Sequence, residues 1–242
     1  MLDPCMEAVR EGSERSPRGG QRRHWQSVPN LNCARAHAGV VAAAGMLFVL
    51  GGRSQVQAVQ QVLPSCEVLA PPSSAWALAP DMHQPRSALA AAAMGGGLFA
   101  VGGQAARPTL RSVERFDLGQ ETWSVLGCDM RVERKYAAAA VLGGRLVVAG
   151  GLDECRTRLR SVEALDPREG RWRDLALLSM PRSSCGLAAL QVGAYGRLFA
   201  AGGSAPGDHV HDTVESWVPE MNAWVPVASM GCGRSGLGLC AL

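Results

Sequence analysis

Four times in this chain a pair of adjacent glycines closes a short apolar run. Met46–Leu50 ends at Gly51-Gly52, and Leu98–Val101 ends at Gly102-Gly103. Leu146–Ala149 ends at Gly150-Gly151, and Leu198–Ala201 ends at Gly202-Gly203. From first glycine to first glycine the steps are 51, 48 and 52 residues. Self-similarity at a period of about 50 residues marks one supersecondary unit used repeatedly, with a core built by stacking units. Each run is too short for a helix and suits a strand buried on both faces. A glycine pair at its end marks a place where the backbone bends or where no Cβ fits.

Other landmarks keep the same phase. Tryptophan recurs at Trp25, Trp76, Trp123, Trp172 and Trp224, and glutamate at Glu67, Glu114, Glu163 and Glu215. Met82, Met130, Met180 and Met230 follow the tryptophans by 6 to 8 residues. Arg35, Arg86 and Arg134 precede their doublets by 16 residues, and Arg182 by 20. Within residues 86–130 the pattern reads as four strands. Ser87–Ala93 is a small-residue inner strand, and Gly95-Gly96-Gly97 supplies a hairpin turn. Leu98–Val101 is the second strand, and Val113 and Phe116 belong to the third. Asp117-Leu118-Gly119-Gln120 is turn chemistry, and Trp123 starts an outer strand whose ring covers the apolar face. Four strands per unit is a propeller blade.

The order Arg, apolar run, Gly-Gly, Glu, Trp, Met resembles the kelch repeat over about residues 25–242. The wording of VERFDLGQETW (113–123) and VEALDPREGRW (162–172) is similar to the propellers of kelch-like adaptor proteins. The expected fold is therefore all-β, a kelch-type β-propeller with four complete four-stranded blades at 35–82, 86–130, 134–180 and 182–230. Residues 1–24 read as a flexible leader, 25–34 as the last strand of a preceding partial blade, and 234–242 as the first strand of an incomplete repeat. A first and a fourth strand do not pair within one blade. Family propellers commonly have six, so the resemblance implies a truncated propeller. The doublets and Trp76, Trp123, Trp172 and Trp224 are expected to be structural.

Positive charge here is almost all arginine, since Lys135 is the only lysine. Arg35, Arg86, Arg134, Arg182 and Arg234 fall at the starts of inner strands, around one mouth of the channel. Two roles are open for them: a basic ring for an acidic peptide, or a scaffold joining blades. Arg53, Arg107, Arg111, Arg156, Arg158 and Arg160 follow the doublets in loops and are expected to face solvent or a partner.

Several other chemistries find little support. Gly231-Cys-Gly-Arg-Ser-Gly236 spells GxGxxG but lacks the following helix. There is no long basic run, and two tyrosines and four phenylalanines leave little to stack bases, so no nucleic-acid partner is expected. Eight cysteines without CxxC pairs or zinc spacing read as free thiols of a reducing compartment, the cytoplasm. Cys155 is followed closely by Arg156 and Arg158, and cations so placed could lower its thiol pKa. His209-x-His211 could ligate a metal in the manner of secreted kelch-repeat copper oxidases, but two histidines lack a third ligand. No metal, cofactor, membrane span or catalytic set is therefore expected. The resemblance implies protein clients captured on the loop face, as in the substrate-recognition propeller of a cullin-RING ubiquitin ligase adaptor. Cullin docking in that family belongs to BTB and BACK domains, for which residues 1–24 are too short. The alternative is an actin-binding or cytoskeletal kelch scaffold.

Overall fold

The computed structural model describes residues 27–241 apart from 57, 58, 74, 193 and 194. The leader 1–24 and Trp25 lie outside the described residues. Four antiparallel four-stranded sheets follow one another. Blade 1 holds β1 (Gly39–Ala43), β2 (Met46–Leu50), β5 (Cys66–Leu69) and β6 (Ala77–Ala79). A hairpin of β3 (Arg53–Val56) and β4 (Val59–Val62) is inserted after its doublet. Blade 2 holds β7 (Ala90–Met94), β8 (Gly97–Val101), β9 (Val113–Asp117) and β10 (Thr122–Val125). Blade 3 holds β11 (Ala138–Leu142), β12 (Arg145–Ala149), β13 (Val162–Asp166) and β14 (Arg171–Leu175). Blade 4 holds β15 (Gly186–Val192), β16 (Tyr195–Ala201), β17 (Val214–Val218) and β18 (Ala223–Val227).

The core lies between blades. Leu50, Leu98, Leu146 and Leu198 are all fully buried. Val41, Phe48 and Leu50 of blade 1 form one apolar cluster with Leu98, Phe116 and Trp123 of blade 2. Inner strands are rich in alanine and glycine because they crowd together near the axis. A Cβ on Gly39 would come within 2.9 Å of the Ala91 Cβ in the next blade.

The doublets are where successive blades lock. The N–H of Gly52 donates to the carbonyl of Arg86 at 2.7 Å, and Gly103 to Arg134, Gly151 to Arg182 and Gly203 to Arg234 repeat the bond. Gly51 sits at φ +59, and a Cβ there would collide with that same Arg86 carbonyl. A second chain of bonds runs around the axis. Ala88 N–H donates to the His37 carbonyl, Tyr136 to Ala88 and Ser184 to Tyr136, each at 2.8 Å, and Gly236 donates to Ser184 at 2.9 Å.

The terminal stretches differ from the strand expectation. Residues 27–34 form no strand. They serve instead as the linker that enters blade 1: the Trp76 indole donates to the Pro29 carbonyl at 2.9 Å, as Trp123 does to Pro80. Residues 234–241 likewise form no strand. They still occupy the fifth inner position, with Leu237 and Leu239 packed against Gly186. The Met180 landmark also moves. Leu178, fully buried, takes the place of Met82 and Met130, its N–H donating to Arg160 as Met82 donates to Pro64.

Candidate functional site

Of the two roles open for the repeat arginines, Arg35, Arg86, Arg134 and Arg182 take the scaffold and not the partner-facing ring. Arg86, Arg134 and Arg182 are 1%, 0% and 0% exposed, and the side chain of Arg35 is equally hidden. Each is the first residue of its unit's axial approach and turns inward along its own blade. The Arg86 guanidinium donates to the carbonyls of Gly102 and Ser112 at 2.9 Å, to Ser112 Oγ, and to Glu114. Arg35, Arg134 and Arg182 make the corresponding set with Glu67, Glu163 and Glu215. The glutamate's second duty is to the incoming linker: Glu114 accepts the N–H groups of His83 and Gln84 at 2.7 and 3.1 Å. Burial alone pushes the Glu67 carboxyl up. Bonds from the Asn32 and Cys33 amides and from Arg35 outweigh it, so the group titrates below the ordinary glutamate range. Arg234 is the exception among the five, exposed at the surface with its carbonyl bonded to Gly203.

The loops after the doublets do share one face. Short bridges tie the first loop residue to the residue that follows each repeat arginine: Arg53 to Ala36, Gln104 to Ser87, Leu152 to Lys135 and Ser204 to Ser183. Neighbouring loops touch, since Lys135 Nζ donates to Gln104 Oε1 at 3.2 Å and Thr109 N–H to Glu154 at 2.7 Å. Arg107 and Arg156 are exposed. Arg111 is exposed and pairs with Asp129 at 3.1 Å. Arg160 donates to the Leu178 carbonyl at 2.7 Å. Arg158 is half-buried, with its Nε lacking a partner among the described residues. Arg53 is half-buried, and its guanidinium lies 2.8 Å from His37 Nε2.

That contact opens onto the axial mouth. His37, Ala88, Tyr136, Ser184 and Gly236 line a cavity of about 330 Å³. The His37 and Tyr136 rings meet edge to face at 5.3 Å, with the small Ala88 between their blades. Burial, then the nearby Arg53 charge, lowers the His37 pKa below its ordinary value, so the imidazole is neutral and accepts from Arg53. A second, more polar groove of about 430 Å³ runs between the blade 1 hairpin and the blade 2 loop, lined by Arg53, Gln60, Gln61, Ser87 and Gln104. Sequence reasoning missed His37, Tyr136 and Ser184. The available signal was their fixed place two residues after each repeat arginine. Each sits at φ between +53 and +55.

The remaining candidates fall outside this mouth or are tied down. His211 bonds to the Pro181 carbonyl at 3.2 Å, and among the described residues no three His, Cys, Asp or Glu side chains gather as a metal would need. Cys66 and Cys185 are buried, and burial pushes their thiols up to about 12 and about 11. Cys155 and Cys240 are exposed. Among the described residues no helix is long and apolar enough to cross a membrane.

A succession of four-stranded blades locked by paired glycines and buried Arg–Glu pairs defines a repeat propeller, and comparison with known proteins names the repeat. The Kelch motif matches residues 85–128, 133–176 and 192–231, more than half of the chain, and the chain belongs to the kelch-repeat family. It is 28% identical to alpha-scruin of Limulus polyphemus over 193 residues, 75% of this chain and 20% of that protein. It is 32% identical to human Kelch domain-containing protein 8B over 77% of this chain and 40% of that protein. It is 24% identical to Kelch-like protein 26 of Danio rerio over 91% of this chain and 36% of that one. The chain thus spans less than half the length of these relatives. In three dimensions it is similar to the solved structure of YjhT, with a TM-score of 0.70 at 12% identity, covering 86% of this chain and 69% of that one.

Proposed function

We propose that this propeller is a protein-interaction module that captures an acidic peptide segment across its loop face. The observation that carries this reading is the convergence of the post-doublet loops on one face, where Arg53 lines a preformed polar groove and Arg107 and Arg156 of the following loops are exposed. The framework arginines are consumed internally, so the positive field of this face comes from the loop arginines and Lys135. Opposing charge on the blade 3 loop comes from Glu154, which accepts the Thr109 amide, and Asp153, which accepts the Thr157 amide. Similarity to Kelch-like protein 26 favours a role as the client-recognition part of a cullin-RING ubiquitin ligase adaptor. In such adaptors the cullin is held by BTB and BACK domains, leaving client capture to the propeller.

The test is fluorescence polarisation with acidic, neutral and basic peptide sets, comparing the wild type with an R53E/R107E/R156E variant. Binding that prefers acidic peptides, weakens with salt and disappears in the variant supports the reading. Equal binding by the variant overturns it. The actin-scaffold reading predicts cosedimentation with filaments in place of peptide selectivity.

A further inference from the structure

Blade 3 breaks the repeat at one interior position, and blade 4 changes its side of the same interface. Strand registers equate Phe48, Phe99, Val147 and Phe199. They also equate Leu69, Phe116, Leu165 and Trp217, which the next blade presents towards that position. Between blades 1 and 2, Phe48 meets Phe116 with ring centroids 6.4 Å apart. Between blades 2 and 3, Phe99 and Leu165 share one apolar cluster. Between blades 3 and 4 the phenyl is missing: Val147 stands there, facing Trp217.

At this interface lies a cavity of about 390 Å³ walled by Val147, Ala164, Leu175, Trp217 and Pro219, with Arg145 at its edge. The walls are held in place. The Trp217 indole donates to Asn222 Oδ1 at 3.3 Å, and that oxygen also accepts the Ala176 amide at 3.2 Å. Two further departures of unit 4 border the same space. Its first hairpin has seven residues per strand against five in the other blades. Its third turn is a 3-10 segment, Pro219–Met221, ending in a left-handed Asn222, where unit 3 has Asp166-Pro-Arg-Glu-Gly170. The matching cleft between blades 2 and 3 is also open, at about 470 Å³, but Phe99 and Arg115 stand in its wall where Val147 and Ala164 stand here.

Arg145 supplies the polar end. Its guanidinium is 57% exposed and lies 3.5 Å from Asp166, a loose pair. Asp166 is already engaged by Arg168 through both carboxylate oxygens, at 3.1 and 2.9 Å. The Arg145 donors thus remain open to an incoming anion.

We propose that the cleft between blades 3 and 4 is a binding site for a small aromatic carboxylate. Its ring takes the place of the phenyl absent at Val147 and packs on Trp217, and its carboxylate meets Arg145. This site lies apart from the loop face and stands independently of peptide capture. The experiment is ligand-observed NMR of the 242-residue protein with 3-phenylpropanoate, with 3-phenylpropan-1-ol as the uncharged control. Wild type should bind the acid about tenfold better than the alcohol, as one charge-assisted contact provides. Val147→Phe restores the residue of the other three blades and should abolish binding of both while keeping or raising the melting temperature. Arg145→Gln should remove the preference for the acid. Unchanged binding by Val147→Phe, or no binding by wild type at millimolar ligand, overturns the proposal. If Val147→Phe melts early, the Trp217 indole N–H resonance decides: it should shift with the acid in wild type and stay fixed if the ring binds elsewhere.

Discussion

Truncating Arg134 leaves the carboxylate of Glu163 buried without its cation and strips donors from the carbonyls of Gly150 and Ser161. Removing one partner of a buried pair costs about 3–5 kcal/mol, because the survivor keeps its desolvation penalty. Arg134→Ala should therefore lower stability to urea by that amount, whereas Arg107→Ala, at an exposed loop, should change it by less than about 0.5 kcal/mol. Glu67 makes the pairing pH-dependent. Its folded pKa lies below the unfolded value, so its contribution is complete above the ordinary glutamate range of about 4.3 and is lost as pH falls through the depressed value. Glu67→Gln should flatten the acid limb of the stability profile. At the mouth, Arg53→Ala removes the smaller of the two causes that lower His37, so its NMR titration should move upward while remaining below 6.5. Thiol reagents should modify Cys155 and Cys240 quickly in the native protein and reach Cys66 and Cys185 only on unfolding.

Within a blade, the outer strand is held by its tryptophan. Trp123 is buried, packs on Phe116 at 5.2 Å and reaches back to the Pro80 carbonyl, so it fastens blade 2 to the linker before it. Trp123→Ala should cost about 3–5 kcal/mol in denaturant unfolding. Elements of this kind leave a trace in the sequence because the same chemistry recurs at fixed intervals: the indoles of Trp76, Trp123, Trp172 and Trp224 each donate to a backbone carbonyl of the linker before their blade. The direction of the repeat arginines was not legible. A periodic cation suits a buried pair and an exposed ring equally well, and only the partner glutamate's position in three dimensions separates them. Leu178 was hidden for another reason. Unit 3 puts a leucine in the place held by Met82 and Met130, and Met180, two residues on, imitated the landmark. The mouth residues His37, Ala88, Tyr136 and Ser184 share a backbone conformation but no side-chain type, so only their place two residues after each repeat arginine marked them.

At the scale of the molecule, strand contacts join each blade to its neighbours, with the His37–Tyr136 contact reaching from blade 1 to blade 3 across the mouth, so stability is close to a sum of units and interfaces. Amides of Ala88, Tyr136 and Ser184 bridge inner strands of adjacent blades, so hydrogen exchange at these three should report interface opening together rather than one blade at a time. The doublet bond has a further consequence for the chain as it leaves the ribosome. The amide of Gly52 finds its acceptor only when Arg86, about thirty residues later, has emerged, and the same delay separates Gly103 from Arg134 and Gly151 from Arg182. Every blade is thus completed by the one behind it. A nascent polypeptide always carries one unfinished module at its trailing edge, and translation speed sets how long that module waits.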